Sequence, residues 1–281
     1  MPRLHASSPD SVLVIEARRR LSLQDLREAW EFRALFWRFA RRDVTVRYRQ
    51  TALGVTWVVL QPLLAAGIFG LVFGRIAKLP SNGIPYFVLS FAGMLGWQLF
   101  NSTLTKLNAS LVGNGGMISK VFFPRIILPL SAVVGVLLDF AVSFVVLLIL
   151  VAANGIGFSV ALAWLPIAVV LLLLIGIGLG LGCAALTVRY RDVAYVVPVA
   201  VQFLLYASPV AYTLAAVPHS LKKYFEANPL TGALELVRHS TLGTPMPSAG
   251  SLAYSAGVGV VFLIAGYLLF KSQERMFADV I

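Results

Sequence analysis

Residues 126–153 read IILPLSAVVGVLLDFAVSFVVLLILVAA and carry one charge, Asp139. About twenty predominantly apolar residues are enough for a helix to cross a hydrocarbon core of about 30 Å, and this run is longer than that. A charged residue at the bilayer centre costs at least about 2.5 kcal/mol on insertion scales, so stretches poor in charge delimit crossings. Working outward, five more such stretches occur, at 53–74, 86–111, 160–188, 193–216 and 252–270. The expected fold is an all-α membrane protein with six transmembrane helices. They occupy 53–270, between a cytoplasmic N-terminal region at 1–52 and a cytoplasmic tail at 271–281.

Composition agrees, since 59% of the 281 residues are hydrophobic and only 12% are charged. A soluble domain carries roughly a quarter charged residues, so an ordinary soluble fold is excluded. The excess of 23 Lys and Arg over 12 Asp and Glu would hint at nucleic acid in a soluble protein. In a membrane chain it reports cytoplasmic loops facing anionic lipid, and no nucleic-acid partner is expected. With both termini inside, 18 of the 23 basic residues fall on cytoplasmic segments, which sets the expected orientation. The first fifty residues are polar and Arg-rich with no apolar core, unlike a cleaved signal peptide. Cys183 stands alone in an apolar run, and His5, His219 and His239 lack ligand spacing, so no metal site is expected.

Three segments outside the crossings carry patterns of their own. Leu23, Leu26, Trp30, Ala34, Phe36 and Trp37 recur at helical spacing beside Arg27, Arg33, Arg38, Arg41 and Arg42, with Ser22 and Asp25 as a capping box. This describes an amphipathic helix in the cytoplasmic interface, acting as an anchor alone or also as a docking element. In the loop 113–125, glycines break the helix, and Met117, Ile118, Val121, Phe122 and Phe123 follow around Lys120 on the cytoplasmic side. Either these side chains form a short helix presented to another protein, or they bury against the same chain. The external segment 217–242 reads as two short helices separated by Asn228-Pro229, dipping back toward the outer leaflet.

Other motifs divide between packing and chemistry. Gly70 with Gly74, Gly176 with Gly180 and Gly178 with Gly182 are spaced for close helix approach, within the chain or between two copies. Asp139 is the lone charge between Ile126 and Val188, near mid-span, and is either a substrate or proton site or a satisfied packing residue with no evident basic partner. Residues 101–108 make one half of the second crossing polar, which means an early exit from the membrane or a wet interior cavity. Trp57, Phe69, Phe73, Phe91, Trp97, Phe203 and Tyr206 are either lipid-facing anchors or the aromatic lining of a sugar channel. His5 and Asp10 have an acyltransferase-like spacing that Pro9 makes an accident, and no catalytic constellation is found. No Gly-x-x-x-x-Gly-Lys-Ser/Thr loop is present, so the chain is not expected to hydrolyse ATP alone.

The order of parts carries a resemblance. A basic amphipathic start leads to Arg47-Tyr48-Arg49-Gln50-Thr51-Ala52-Leu53-Gly54, Trp57 and Gln61-Pro62-Leu63. Lys120-Val121-Phe122-Phe123-Pro124, Arg189-Tyr190-Arg191-Asp192, Ser208-Pro209-Val210 and Asn228-Pro229-Leu230 with Glu235 and Arg238 follow. Over nearly the whole chain this resembles the ABC-2 type transporter permease subunits of O-antigen and teichoic-acid polysaccharide exporters. The resemblance implies a homodimer in the bacterial cytoplasmic (inner) membrane, paired with two ATP-binding ABC subunits that hold ATP and Mg²⁺, with no cofactor in this chain. It implies a coupling helix at 113–125 bearing Met117, Ile118, Lys120, Val121, Phe122 and Phe123, and an external gate around Pro229, Glu235 and Arg238. The expected substrate is a polyprenyl-pyrophosphate-linked glycan entering past Arg38, Arg41, Arg42, Arg47 and Arg49. An exporter of a drug or simple lipid is the nearest alternative. A secondary transporter working through Asp139, or a membrane-embedded transferase, stands further off.

Overall fold

A computed structural model describes residues 30–49, 56–81, 83–118, 123–157, 159–274 and 277. The described residues are overwhelmingly helical and contain no strand. Helix α1 is Arg33–Arg49. Helix α2 is Thr56–Ile76, whose last turns from Gly70 are π-helical. Helix α3 is Tyr86–Ser110 and the short α4 is Gly115–Ile118. Helices α5, Ile127–Ala153, and α6, Leu165–Arg189, are followed by α7 at Val193–Tyr206. Two short helices, α8 at His219–Glu226 and α9 at Leu230–Leu242, precede α10 at Ala249–Gln273.

Among the described residues, four helical stretches are long and apolar enough to cross a membrane: 56–76, 127–153, 160–189 and 249–273. The other two expected crossings differ in instructive ways. Helix α3 is 25 residues long, but its polar half keeps it below that hydropathy. Helix α7 has only 14 residues, because the chain breaks at Ala207-Ser208-Pro209 where 193–216 was expected to continue.

Helix α3 is the central post. Val88, Leu89, Phe91, Leu95, Leu99 and Phe100 are fully buried on it, and α2, α5, α6 and α9 all pack around it. Glycines set how closely they approach. Gly178 on α6 meets Gly266 on α10 so tightly that a Cβ on Gly266 would lie 1.9 Å from the Gly178 carbonyl oxygen. Gly176 and Gly180 face Thr103 and Leu107 of α3, while Gly70 and Gly74 face Phe87 and Tyr86. These glycines therefore serve packing within the chain. The α1 helix lies against α5 through Phe39 and Ala40, leaving Trp30 and Trp37 exposed.

Candidate functional site

Among the described residues, an ion pair and a single cation are built into the interior, toward opposite ends of α3. Lys106, on the polar half of that helix, donates from Nζ to Asp139 Oδ2 on α5 at 3.0 Å. The carboxylate is mostly enclosed while the ammonium keeps part of its surface accessible. The expectation that Asp139 lacks a basic partner is thus corrected. Lys106 is 33 residues away in sequence and one helix away in space. Asp139 lies at the middle of the 27-residue α5, where it shares a cavity wall with Gln98 of α3 and with Trp57 and Val58 of α2. Most of the remaining polar half of α3 is satisfied locally or by α6. Thr103 and Thr105 donate to carbonyls four residues back, and Thr187 donates to Asn108 Oδ1 at 2.6 Å.

Each partner of the pair faces its own space. Asp139 lines a cavity of about 140 Å³ between α2, α3 and α5, together with Trp57, Gln61, Gln98, Ser102 and Ser143. Lys106 lines another of about 220 Å³ beside α1, together with Asp43, Val44, Ser110 and Asn114. The ion pair is the partition between them. At its α1 side, Arg42 donates to Asp43 Oδ1 and to Asn114 Oδ1 at 2.7 Å, which ties α1 to the turn after α3.

The other site is a closed knot. Arg238 on α9 is 1% exposed, and its Nη2 donates to the carbonyls of Pro209 and Val210, each at 2.6 Å. Those carbonyls are free because the chain breaks after α7. Asn228 holds the same break from the other side, donating to Ser208 Oγ and the Ala207 carbonyl. Glu235 accepts from the Leu214 amide at 3.0 Å. Burial pushes the Arg238 guanidinium down to about 10, opposed first by the Glu235 carboxylate, so it stays protonated at neutral pH. Gly93 on α3 is what admits the knot, since a Cβ there would stand 2.0 Å from the Val210 oxygen and 2.5 Å from Arg238 Nη2.

Comparison with known proteins matches residues 34–242, from α1 through α9, to the family model described as ABC-2 type transporter. The chain belongs to the ABC-2 type transporter family. It is 27% identical over 256 residues to the O-antigen export system permease protein RfbA of Myxococcus xanthus, covering 90% of this chain and 98% of that one. It is 26% identical over 243 residues to the protein of the same name from Klebsiella pneumoniae, covering 85% and 92%. The four long apolar helices agree with a multi-pass membrane protein of this family.

Within this ABC-2 transporter chain the anticipated residues scatter over several environments. Trp57, Phe203 and Tyr206 are exposed and Phe69 and Phe73 half-buried, whereas Phe91 and Trp97 are enclosed at 0% and 3%. Those two are corrected to core residues, since a side chain sealed by its own chain cannot line a channel. Phe123 is corrected as well. It is 4% exposed and packs on Phe39, the two rings 5.6 Å apart, so it belongs to the core rather than to a presented docking face. Met117 and Ile118 close α4, but their side chains, and Lys120, Val121 and Phe122 entirely, lie outside the described residues. Arg38 and Arg41 are exposed on α1. Arg42 is engaged by Asp43 and Asn114, and the side chains of Arg47 and Arg49 lie outside the described residues. Pro229 caps α9. Arg238, expected as an external gate charge, is internal. Its signal was its place on the helical face shared by Leu234, Val237 and Leu242.

Proposed function

We propose that this chain is the transmembrane permease subunit of an ATP-driven exporter that moves a lipid-linked, O-antigen-like polysaccharide across the bacterial inner membrane. The observation that carries this reading is its similarity, across 85–90% of its length, to relatives whose name is O-antigen export system permease protein. Two copies of the chain assemble with two copies of a separate ATP-binding subunit, which holds ATP and Mg²⁺ and performs the hydrolysis. The chain crosses the membrane six times with both termini in the cytoplasm, α3 and the shortened α7 completing the four long crossings. In support, 18 of 23 basic residues fall on the inner side under that topology.

Work from the ATPase enters through α1 and the loop around α4. The exposed Arg38 and Arg41 draw the pyrophosphate of the lipid carrier to the interface, and the external helices α8 and α9 close the far side. Co-expression with the partner ATPase should yield a stoichiometric complex with ATPase activity. Changing Val121 and Phe122 to Asp, with the core residue Phe123 left alone, should abolish the complex while the permease still purifies. A chain that ignores the ATPase and transports without it would overturn the reading.

A further inference from the structure

The cavity between α2, α3 and α5 has a chemistry that narrows the substrate. Gln61, Gln98 and Ser102 face it, and among the described residues these side chains make no hydrogen bond to protein. Gln61 is exposed and Gln98 and Ser102 are half-buried, so their unused donors and acceptors are open to a ligand, and three of them on one space between apolar helices suit a polar occupant. A carboxamide offers two donors and an acceptor at once, and two carboxamides beside a carboxylate suit an array of hydroxyls. A hydrocarbon ligand would strand both amides. A phosphate would find no countercharge, since no cationic side chain among the described residues lines this cavity and the ammonium of Lys106 opens on the other one. Trp57, more than half exposed on the same wall, adds a broad aromatic face. At about 140 Å³ the space is small beside pockets for drug-sized ligands, which run from about 300 Å³, and it suits one ring rather than a run of chain.

We propose that this cavity is a glycosyl subsite. Gln61 and Gln98 hydrogen-bond the hydroxyls of one sugar of the exported substrate, Asp139 accepts from a further hydroxyl, and Trp57 stacks on the ring's C–H face. The proposal rests on the polysaccharide-exporter reading and specifies where within one chain a sugar is read. Across the Lys106–Asp139 pair lies the second cavity, which borders the interface helix α1 at Asp43 and Val44.

The test uses the full permease–ATPase complex in lipid nanodiscs. ATPase stimulation is titrated with polyprenyl-pyrophosphoryl-N-acetylglucosamine and, in parallel, with unglycosylated polyprenyl pyrophosphate. The wild type should half-saturate at a lower concentration of the glycosylated lipid, by about tenfold, the scale of one to two well-made hydrogen bonds. The paired change Gln61→Ala and Gln98→Ala should bring the ratio of the two half-saturation values to one, and Trp57→Ala, at an exposed position, should reduce it independently. Variants that keep the wild-type ratio would show that the cavity holds only water and overturn the subsite. A wild type that responds equally to both lipids would also overturn it, while leaving the exporter reading intact. A wild type that responds to neither would remove both.

Discussion

Near its N-terminal end α3 meets Arg238, a cation sealed in protein and held by two backbone carbonyls. Toward its C-terminal end α3 carries Lys106, a cation of the same sign that pairs with a carboxylate and borders two cavities. The difference lies in what surrounds each charge. Around Arg238 no open space is left: Nη2 is held by two carbonyls, Nε and Nη1 are buried without a hydrogen-bond partner among the described residues, and the missing Cβ of Gly93 makes the room. Around the Lys106–Asp139 pair, space is left on both sides, and polar side chains without protein partners face one of the cavities. A sealed charge fixes architecture, and a charge with space around it is available to a ligand.

The comparison can be broken most severely at Gly93. A methyl group there would collide with the backbone oxygen of Val210, which cannot rotate away as a side chain could. Gly93→Ala should destabilise by more than about 3 kcal/mol, the upper range for overpacking. The expected result is loss of a monodisperse peak on size exclusion in detergent. A well-behaved Gly93→Ala protein with a wild-type melt would mean that the break after α7 does not sit against α3.

Arg238→Met comes next. It removes the charge but also leaves the Pro209 and Val210 carbonyls without their donor, a loss of about 3 kcal/mol by analogy with breaking other buried charged hydrogen bonds. Thermal unfolding of the purified chain should record it as a markedly lower midpoint. A small change would place Arg238 among the accessible charges, in the same class as Lys106.

How far the sequence alone reveals these two sites depends on which signals are local. Long charge-free runs such as 126–153 are legible because hydrocarbon imposes its cost residue by residue. The glycine pairs of α6 are legible as close-packing sites for the same reason, although only the three-dimensional arrangement tells that α3 and α10 are their partners. The break of α7 is less visible, since Ser208-Pro209 interrupts a run that is apolar on both sides. Least legible is the pairing of Lys106 with Asp139. By position Lys106 counts as a cytoplasmic charge, and only the packing of α3 on α5 brings its ammonium to the carboxylate. Phe123 misleads in the opposite way, because an apolar residue beside a cytoplasmic loop reads equally well as a docking face and as core.

Asp139→Asn tests the open end of α3 with a smaller expected effect. Because Lys106 keeps part of its surface accessible, the pair should contribute only about 1 kcal/mol, near the upper end for ion pairs in contact with solvent. A double-mutant cycle with Lys106→Met, read by thermal melts, should give a coupling energy of that size. A coupling several times larger would mean that the pair is sealed like Arg238, and would remove the contrast between the two ends.

The smallest effect on stability is expected at Asn114→Ala. Asn114 accepts from Arg42 and donates back to the Ser110 carbonyl, so it is a strap between α1 and the turn that leads into α4. Both groups border accessible space, so the loss should stay below about 1 kcal/mol and the melt should scarcely move. The strap nevertheless joins the two elements through which the partner ATPase is proposed to act. If they move as one body, cutting it should lower substrate-stimulated ATPase activity in the assembled complex while complex formation and the melt are retained. An unchanged stimulation would mean that α1 and the α4 turn are driven separately, and the link from the partner to Lys106 would then run through the contact of α1 with α5.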